Sequence, residues 1–331
     1  MTAHDVAQLA GVSQATVSYV VSGRRSGKLR VSEETRQRVL DAVSQLNYVP
    51  NDAARSLRRQ RTERLCLVVQ RMGVPFDDVL ARDVQRIAGQ HHYSLIITLG
   101  GTYQREQHVL EQLRRGLADG AIIIPGEIGP ADLAPVVESG VALVVLDNWT
   151  EAQGFDIWHA DDGAAAYQGV TYLIEQGHTR IGFLGHSLQR GIHNQRFENY
   201  LQAHIDHGIT PIPRLWKAGA ASRQSAYEAS LDLLRQPERP SAIFATADIA
   251  ALSTLTAAYD LGIRVPGELA VIGTGNIPEG EFVRPTLTTI GPRTREFSAV
   301  AELLFSRLSA STPLPGRVLH APWELIRRES A

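Results

Sequence analysis

Near the start of the chain, Gln14, Ala15, Ser18 and Tyr19 have the types and spacing to read DNA bases. A glutamine amide can bond an adenine edge in two places, and an alanine methyl suits a thymine methyl. A tyrosine one turn after Ala15 reaches a base or a phosphate. Such chemistry needs a short helix held out from its parent domain, and residues 2–22, TAHDVAQLAGVSQATVSYVVS, predict one. Val6, Leu9 and Ala10 fall at i, i+3 and i+4 of a first helix, and Val17, Val20 and Val21 repeat that spacing in a second, so each buries one stripe against the other. Gly11 supplies the permissive corner, and Ser13 is placed to cap the second helix, with Thr16 in its first turn. The pair reads as a helix-turn-helix, with Ser13 to Tyr19 as its reading element.

Beyond it, GRRSGKLR (23–30) offers Arg24, Arg25 and Lys28 to phosphates. A third helix should follow Ser32 as cap, with Glu33 and Glu34 in its first turn and Val39, Leu40, Val43 and Leu46 as its core stripe. Charge is divided unevenly along the chain. Residues 1–62 hold ten Arg or Lys against five Asp or Glu, whereas the remainder holds 23 against 30. A basic head on an acidic body points the head at a polyanion. At 331 residues, with 44% hydrophobic and 21% charged residues, the chain is long enough for two or three globular units. A single cysteine, Cys66, excludes an intrachain disulfide. With no apolar leader and no apolar run near ~20 residues, a cytoplasmic location is expected.

From Leu65 onward, short apolar runs alternate with helical stretches, the pattern of parallel sheets covered by helices. Strands are predicted at LCLVV (65–69), SLIITL (94–99), GAIIIP (120–125), VALVVLD (141–147), RIGFLG (180–185), AIFAT (242–246) and LAVIG (269–273). Ligands of open α/β sheets lie beyond the carboxyl ends of the strands. The residues there are Phe76, Asp77, Asp147, Arg190, Arg196, Asp248 and Asn276.

Several of these segments, DVAQLAGVSQATVS (5–18), VSEETRQRVLDAVSQLNYVPN (31–51), ARSLR (54–58), EQGHTRIGFLG (175–185), FATAD (244–248), VPGELAVIG (265–273) and PTLTTI (285–290), occur together and in order. In them the chain resembles the lactose repressor (LacI/GalR) family of bacterial transcription factors over essentially its whole length. The resemblance implies a helix-turn-helix domain (1–50), a hinge (51–61) and an effector-binding and dimerisation body (62–331). That body would have the periplasmic-binding-protein fold of two Rossmann-like lobes, about 62–157 with 290–318 and about 158–289 with 319–331, crossed near 158, 289 and 319. It further implies that the hinge, with Asn51, Arg55, Leu57 and Arg58, orders on DNA. Leu57 would be pushed into the minor groove, where an apolar wedge unstacks a step and bends the duplex. Positions matching Phe76, Asp147, Arg190 and Arg196 would line the effector cleft, and Arg196 would fork to effector oxygens.

The departures from the family pattern bear on the effector. Ala247 with Asp248, and Gly275 with Asn276, stand where an amide–carboxylate pair and two carboxylates are usual, and Ala221 stands where a stacking aromatic is common. A standard sugar effector is thereby less secure, although Trp149 and Trp158 offer aromatic faces. Gly273-x-Gly275 lacks a full dinucleotide fingerprint, and the pairs His91 with His92 and His204 with His207 lack further ligands. No cofactor, metal or catalytic constellation is expected. The favoured reading is a homodimeric, effector-controlled regulator, usually a repressor, of a palindromic operator. No heptad follows APWELIRRES to make a tetramer. An architectural DNA binder without effector response, and a solute-binding or enzyme body fused to a DNA-binding head, are the alternatives. Arg196→Ala or Asp147→Ala should then abolish effector response without harming the fold.

Overall fold

The computed structural model describes residues 1–21, 31–49, 61–148, 151–188 and 194–331. They form two compact units, Met1–Glu63 and Arg64–Ala331.

The first unit holds α1 (Ala3–Ala10), α2 (Gln14–Val21) and α3 (Glu33–Gln45). Thr2 and Asp5 close a capping box at the start of α1, and Gly11 ends it in the left-handed conformation at φ 65°. Ser13 Oγ accepts the Thr16 N–H at 3.2 Å, and Ser32 Oγ accepts the Thr35 N–H at 3.2 Å, so both expected caps form. Val6, Ala7, Ala10, Val17, Val20, Val39 and Ala42 make the core. Of the expected stripes, Val21, Val43 and Leu46 pack partly against it, whereas Leu9 and Leu40 turn away, 48% and 41% exposed. With three helices of only 8, 8 and 13 residues, the interior admits small side chains at close helix approach. Ala7 and Ala42 take the inward positions, and the bulkier leucines one or two places away turn outward.

The second unit contains two six-stranded sheets. The first sheet runs β11 (Val318–Ala321), β5 (Asp156–Ala160), β4 (Ala142–Leu146), β3 (Gly120–Ile123), β1 (Arg64–Val69), β2 (Ser94–Leu99), all parallel. The second runs β12 (Glu324–Ile326), β10 (Thr288–Gly291), β9 (Ala270–Thr274), β8 (Ala242–Ala245), β6 (Ile181–Gly185), β7 (Trp216–Ala218), parallel except for the β10–β12 pair. All seven predicted strands are present. Of those the sequence did not single out, β7 and β12 have three residues each, too few to show a period, and β5, DIWHA, mixes charged and polar residues into its run.

Helices cover both faces of each sheet, which is why the central strands are continuous apolar runs. On the first sheet, α4 (Pro75–Gln90) and α11 (Ser298–Leu308) bury one cluster, and α5 (Tyr103–Arg114) with α6 (Pro130–Glu138) bury the other. On the second, α7 (Asp162–Glu175) and α8 (Gln195–Asp206) lie on one face, and α9 (Arg223–Leu234) and α10 (Asp248–Asp260) on the opposite one. Gly169 lets α7 press on β10, since a Cβ there would meet Ile290 Cδ1 at 2.6 Å.

The chain passes between the sheets after β5, after β10 and between β11 and β12. Each passage comes a few residues beyond the expected 158, 289 and 319, which lie inside strands because a strand completes its ladder before the chain leaves. A partly buried ionic cluster ties the start of β5 to α11 and to the start of β11. Asp156, fully buried, pairs with Arg307 of α11 at 2.7 Å and with Arg317 before β11 at 2.5 Å. Among the described residues no helix is long and apolar enough to cross a membrane.

Candidate functional site

On the head, Gln14 and Ala15 are exposed, as a reading surface requires. Gln14 Nε2 lies 3.1 Å from His4 Nδ1, so an imidazole from α1 stands beside the first candidate reading residue. The apolar pattern carries no signal for His4, because its proximity arises from how α1 crosses α2. Ser13 and Thr16 are joined to each other through their hydroxyls at 2.9 Å, which assigns them to capping in this state. Ser18 and Tyr19 are half-buried, and Tyr19 packs partly against the head's core, so its face is not wholly outward. Arg24, Arg25, Lys28, Asn51, Arg55, Leu57 and Arg58 lie outside the described residues.

In the body, the carboxyl ends of the sheets bring a second group of side chains together. From the first sheet come Arg71, just after β1, and Phe76 and Asp77 at the start of α4. From the second come His186, directly after β6, Thr246 after β8, and Arg196 in the first turn of α8. Trp323 joins them from the passage between β11 and β12.

Phe76 packs against the buried clusters of both sheets, with its ring 4.8 Å from Phe297 and 6.4 Å from Trp323. The Arg196 guanidinium lies over Trp323 at 5.7 Å, pairs with Asp162 Oδ2 at 2.7 Å and donates from Nη1 to the Thr246 carbonyl at 2.8 Å. Its Nε–H is buried and lacks a hydrogen-bond partner among the described residues. Arg71 Nη2 meets His186 Nε2 at 3.4 Å, a contact between the two sheets' ends. Arginine has only donors, so Nε2 accepts, and Nδ1 carries the proton toward Thr246 Oγ1 at 3.3 Å. The crowding protein and the guanidiniums of Arg196 and Arg71 push the imidazole down to about 4, which keeps it neutral for that role. Asp77 moves the other way. Burial raises it to about 7, with the Arg71 charge opposing and Asp78 adding to the rise.

Asp147, half-buried at the end of β4, accepts the N–H of Asn148 at 2.6 Å, and Asn148 Nδ2 donates to Asp162 Oδ1 at 2.7 Å. Asp162 thus joins the end of β4 to Arg196. Asp248 and Asn276 are 2% and 3% exposed and fully engaged with protein. Asp248 accepts from Thr289 Oγ1 at 2.6 Å and from the Ile277 N–H at 2.8 Å, and burial raises it to about 6. Asn276 donates to the Pro292 carbonyl at 2.9 Å and accepts from Arg328 at 2.8 Å. The glycines near them serve this packing. A Cβ on Gly273 would lie 2.2 Å from Asp248 Oδ1, and Gly275 has φ 128°, a backbone that side chains avoid.

Trp158, weighed as an aromatic wall, packs partly against the first sheet's cluster. Trp149 and Arg190 lie outside the described residues. Of the seven expected cleft residues, the structure gathers Phe76, Asp77 and Arg196 at one place and buries Asp248 and Asn276 in a neighbouring network. Sequence reading missed Arg71, His186, Thr246, Asp162 and Trp323. The strand-end rule extends to Arg71, His186 and Thr246, but Trp323 sits on a connection without periodicity.

Comparison with known proteins decides the family. The profile described as "Bacterial regulatory proteins, lacI family" matches residues 2–51, and that of a "Periplasmic binding protein-like domain" matches 170–331. The HTH-type transcriptional regulator GalR of Escherichia coli (strain K12) is 32% identical over 99% of this chain and 95% of its own.

The chain belongs to the LacI family.

The HTH-type transcriptional repressor PurR of Edwardsiella ictaluri (strain 93-146) is 30% identical over 93% of this chain and 91% of its own. A structure of the lac repressor dimer bound to operator and the anti-inducer ONPF superposes with a TM-score of 0.80, at 24% identity, covering 100% and 98% of the two chains. As a LacI-family member, the protein is a DNA-binding transcriptional regulator with a helix-turn-helix head and a two-lobe α/β body.

Proposed function

We propose that the protein is a cytoplasmic, homodimeric repressor whose hold on a palindromic operator is switched by a small polar effector, a sugar or related metabolite, bound between the carboxyl ends of its two sheets. The observation that carries the proposal is the buried Nε–H of Arg196, which has no partner among the described residues. A buried donor normally has an acceptor, and this one stands among groups suited to a polar ring. Trp323 and Phe76 offer apolar faces, while Asp77, Arg71 and His186 offer donors and acceptors. The relatives support the repressor assignment, since PurR is a repressor and the lac repressor has been seen as a dimer on its operator with a small molecule. No catalysis is assigned to the cleft.

The geometry also suggests how binding becomes a switch. Contacts between the two sheets' ends run through side chains such as Arg71–His186 and Phe76–Trp323, so a ligand that replaces them changes the angle between the lobes. Gln14, Ala15 and Tyr19 read bases, the basic loop contacts phosphates, and Leu57 wedges the operator centre. The test is a thermal-shift screen of the full chain against sugars, glycosides, nucleosides and purines, followed by operator titrations with each hit. A ligand that raises Tm should change operator affinity, and operator should change its affinity by the same factor. A saturating ligand that left operator affinity unmoved, while bound at Arg196, would refute the proposal.

A further inference from the structure

A concavity lies beside β12, the edge strand of the second sheet, and shares Asn276 with the buried network described above. It has a volume of about 570 Å³ and is lined by Arg293, Arg295, Arg327 and Arg328 against two carboxylates, Glu281 and Glu324. Its guanidiniums share acceptors. Arg295 and Arg328 both converge on Glu281 Oε1, the Arg328 contact being 3.1 Å, so one carboxylate oxygen serves two guanidiniums. They meet again at Asn276 Oδ1, at 3.2 and 2.8 Å. Those guanidiniums are held away from water, with side-chain exposures of 25% and 14%, whereas Glu281 is 45% exposed on the 3₁₀ turn Pro278–Glu281. Arg293 reaches the same space from solvent, 82% exposed, and is matched by Glu324 at 2.5 Å.

We propose that this cavity is a second small-molecule site, which takes a metabolite bearing a phosphate monoester. Two planar forks aimed at one point suit an acceptor with three tetrahedral oxygens, which can accept from both without sharing an atom. Four guanidiniums face the lining carboxylates Glu281 and Glu324, with buried Asp248 also acting on Arg295 and Arg328, and the remaining positive charge favours an anion. Glu281 occupies the phosphoryl position when the site is empty and swings into solvent when it is filled. The volume exceeds that of a bare phosphate and leaves room for an organic part beside Leu325 and Ile326. Arg295 lies on the passage from β10 to α11, and its Nε donates to the Asn276 carbonyl, so an occupant bears on a connection between the lobes.

The test uses the full chain, with melting temperature and calorimetric titration as readouts. The probes are glucose 6-phosphate, glucose, inorganic phosphate and chloride at matched ionic strength. Glucose 6-phosphate should raise Tm with concentration, inorganic phosphate should do so more weakly, and glucose and chloride should not. Glu281→Gln removes the internal competitor and should bind the sugar phosphate several-fold more tightly. Arg295→Gln should lose the response. Because Arg295 also bonds the Asn276 backbone, Arg293→Gln, at a solvent-exposed position, provides a second variant and should weaken binding without changing the ligand-free Tm. An equal response to glucose and its phosphate would place the ligand elsewhere and overturn the proposal. So would an undiminished response in both arginine variants, or weaker binding by Glu281→Gln.

Discussion

Arg196→Ala should destabilise the body as well as alter ligand response, because the side chain holds three groups together before any ligand arrives. Its ion pair with Asp162 is 2.7 Å long, and the two side chains are 27% and 11% exposed. A charge-assisted hydrogen bond of this kind contributes ~1.5–3 kcal/mol net. Stacking over Trp323 at 5.7 Å adds ~0.5–1 kcal/mol. The Thr246 carbonyl, now accepting from Nη1, would turn to water, and among the described residues Asp162 would keep its bond from Asn148 at 2.7 Å. The loss should be ~2–4 kcal/mol, discounted toward the lower figure for the partial exposure. This differs from the expectation, made from sequence, that the substitution spares the fold. Urea unfolding of the full chain, followed by tryptophan fluorescence, should show a lower midpoint with an unchanged slope. A cycle with Asp162→Ala should give a coupling of ~1–3 kcal/mol. An unchanged midpoint, or additivity within ~0.5 kcal/mol, would refute the clamp.

Asp77→Asn should stabilise the protein above neutral pH. With its native value raised to about 7 from 3.8, native Asp77 holds its proton where the unfolded chain has lost it, so wild-type stability falls as pH rises from about 4 to about 7. Each pKa unit corresponds to ~1.4 kcal/mol, and after discount for partial exposure a gain of ~1–2 kcal/mol is expected at pH 8 and little at acid pH, measured by Tm against pH. Asp156→Ala should cost ~3–5 kcal/mol in urea unfolding, since it removes the carboxylate from Arg307, whose side chain is 7% exposed, and leaves that charge to the carbonyls of Gly154, Leu314 and Pro315. Gln14→Ala should relax preference at one operator position by ~1–3 kcal/mol, whereas Arg24→Ala should weaken all DNA alike and flatten the salt dependence. Binding selections and salt titrations separate the two.

The sequence by itself determined the class of molecule. Helical spacing in residues 2–22 and the caps at Ser13 and Ser32 are local matters, settled within one or two turns, and the structure forms them. The apolar runs from Leu65 to Gly273 became strands because a strand buried on both faces must be apolar throughout. Only tertiary structure decided which side of a helix faces inward when several apolar residues compete, as Leu9 and Leu40 show. It also decided the fate of the polar groups at strand ends. Asp77 and Asp248 look alike in sequence, each an aspartate at the start of a helix after a strand. One stands at the carboxyl end of the first sheet near Arg71, and the other is enclosed by Thr289 and the Ile277 N–H, contributed by chain 41 and 29 residues away. Arg71 and His186 come from different sheets 115 residues apart. Pairings of that range are fixed by the passages between the sheets, and no local period records them.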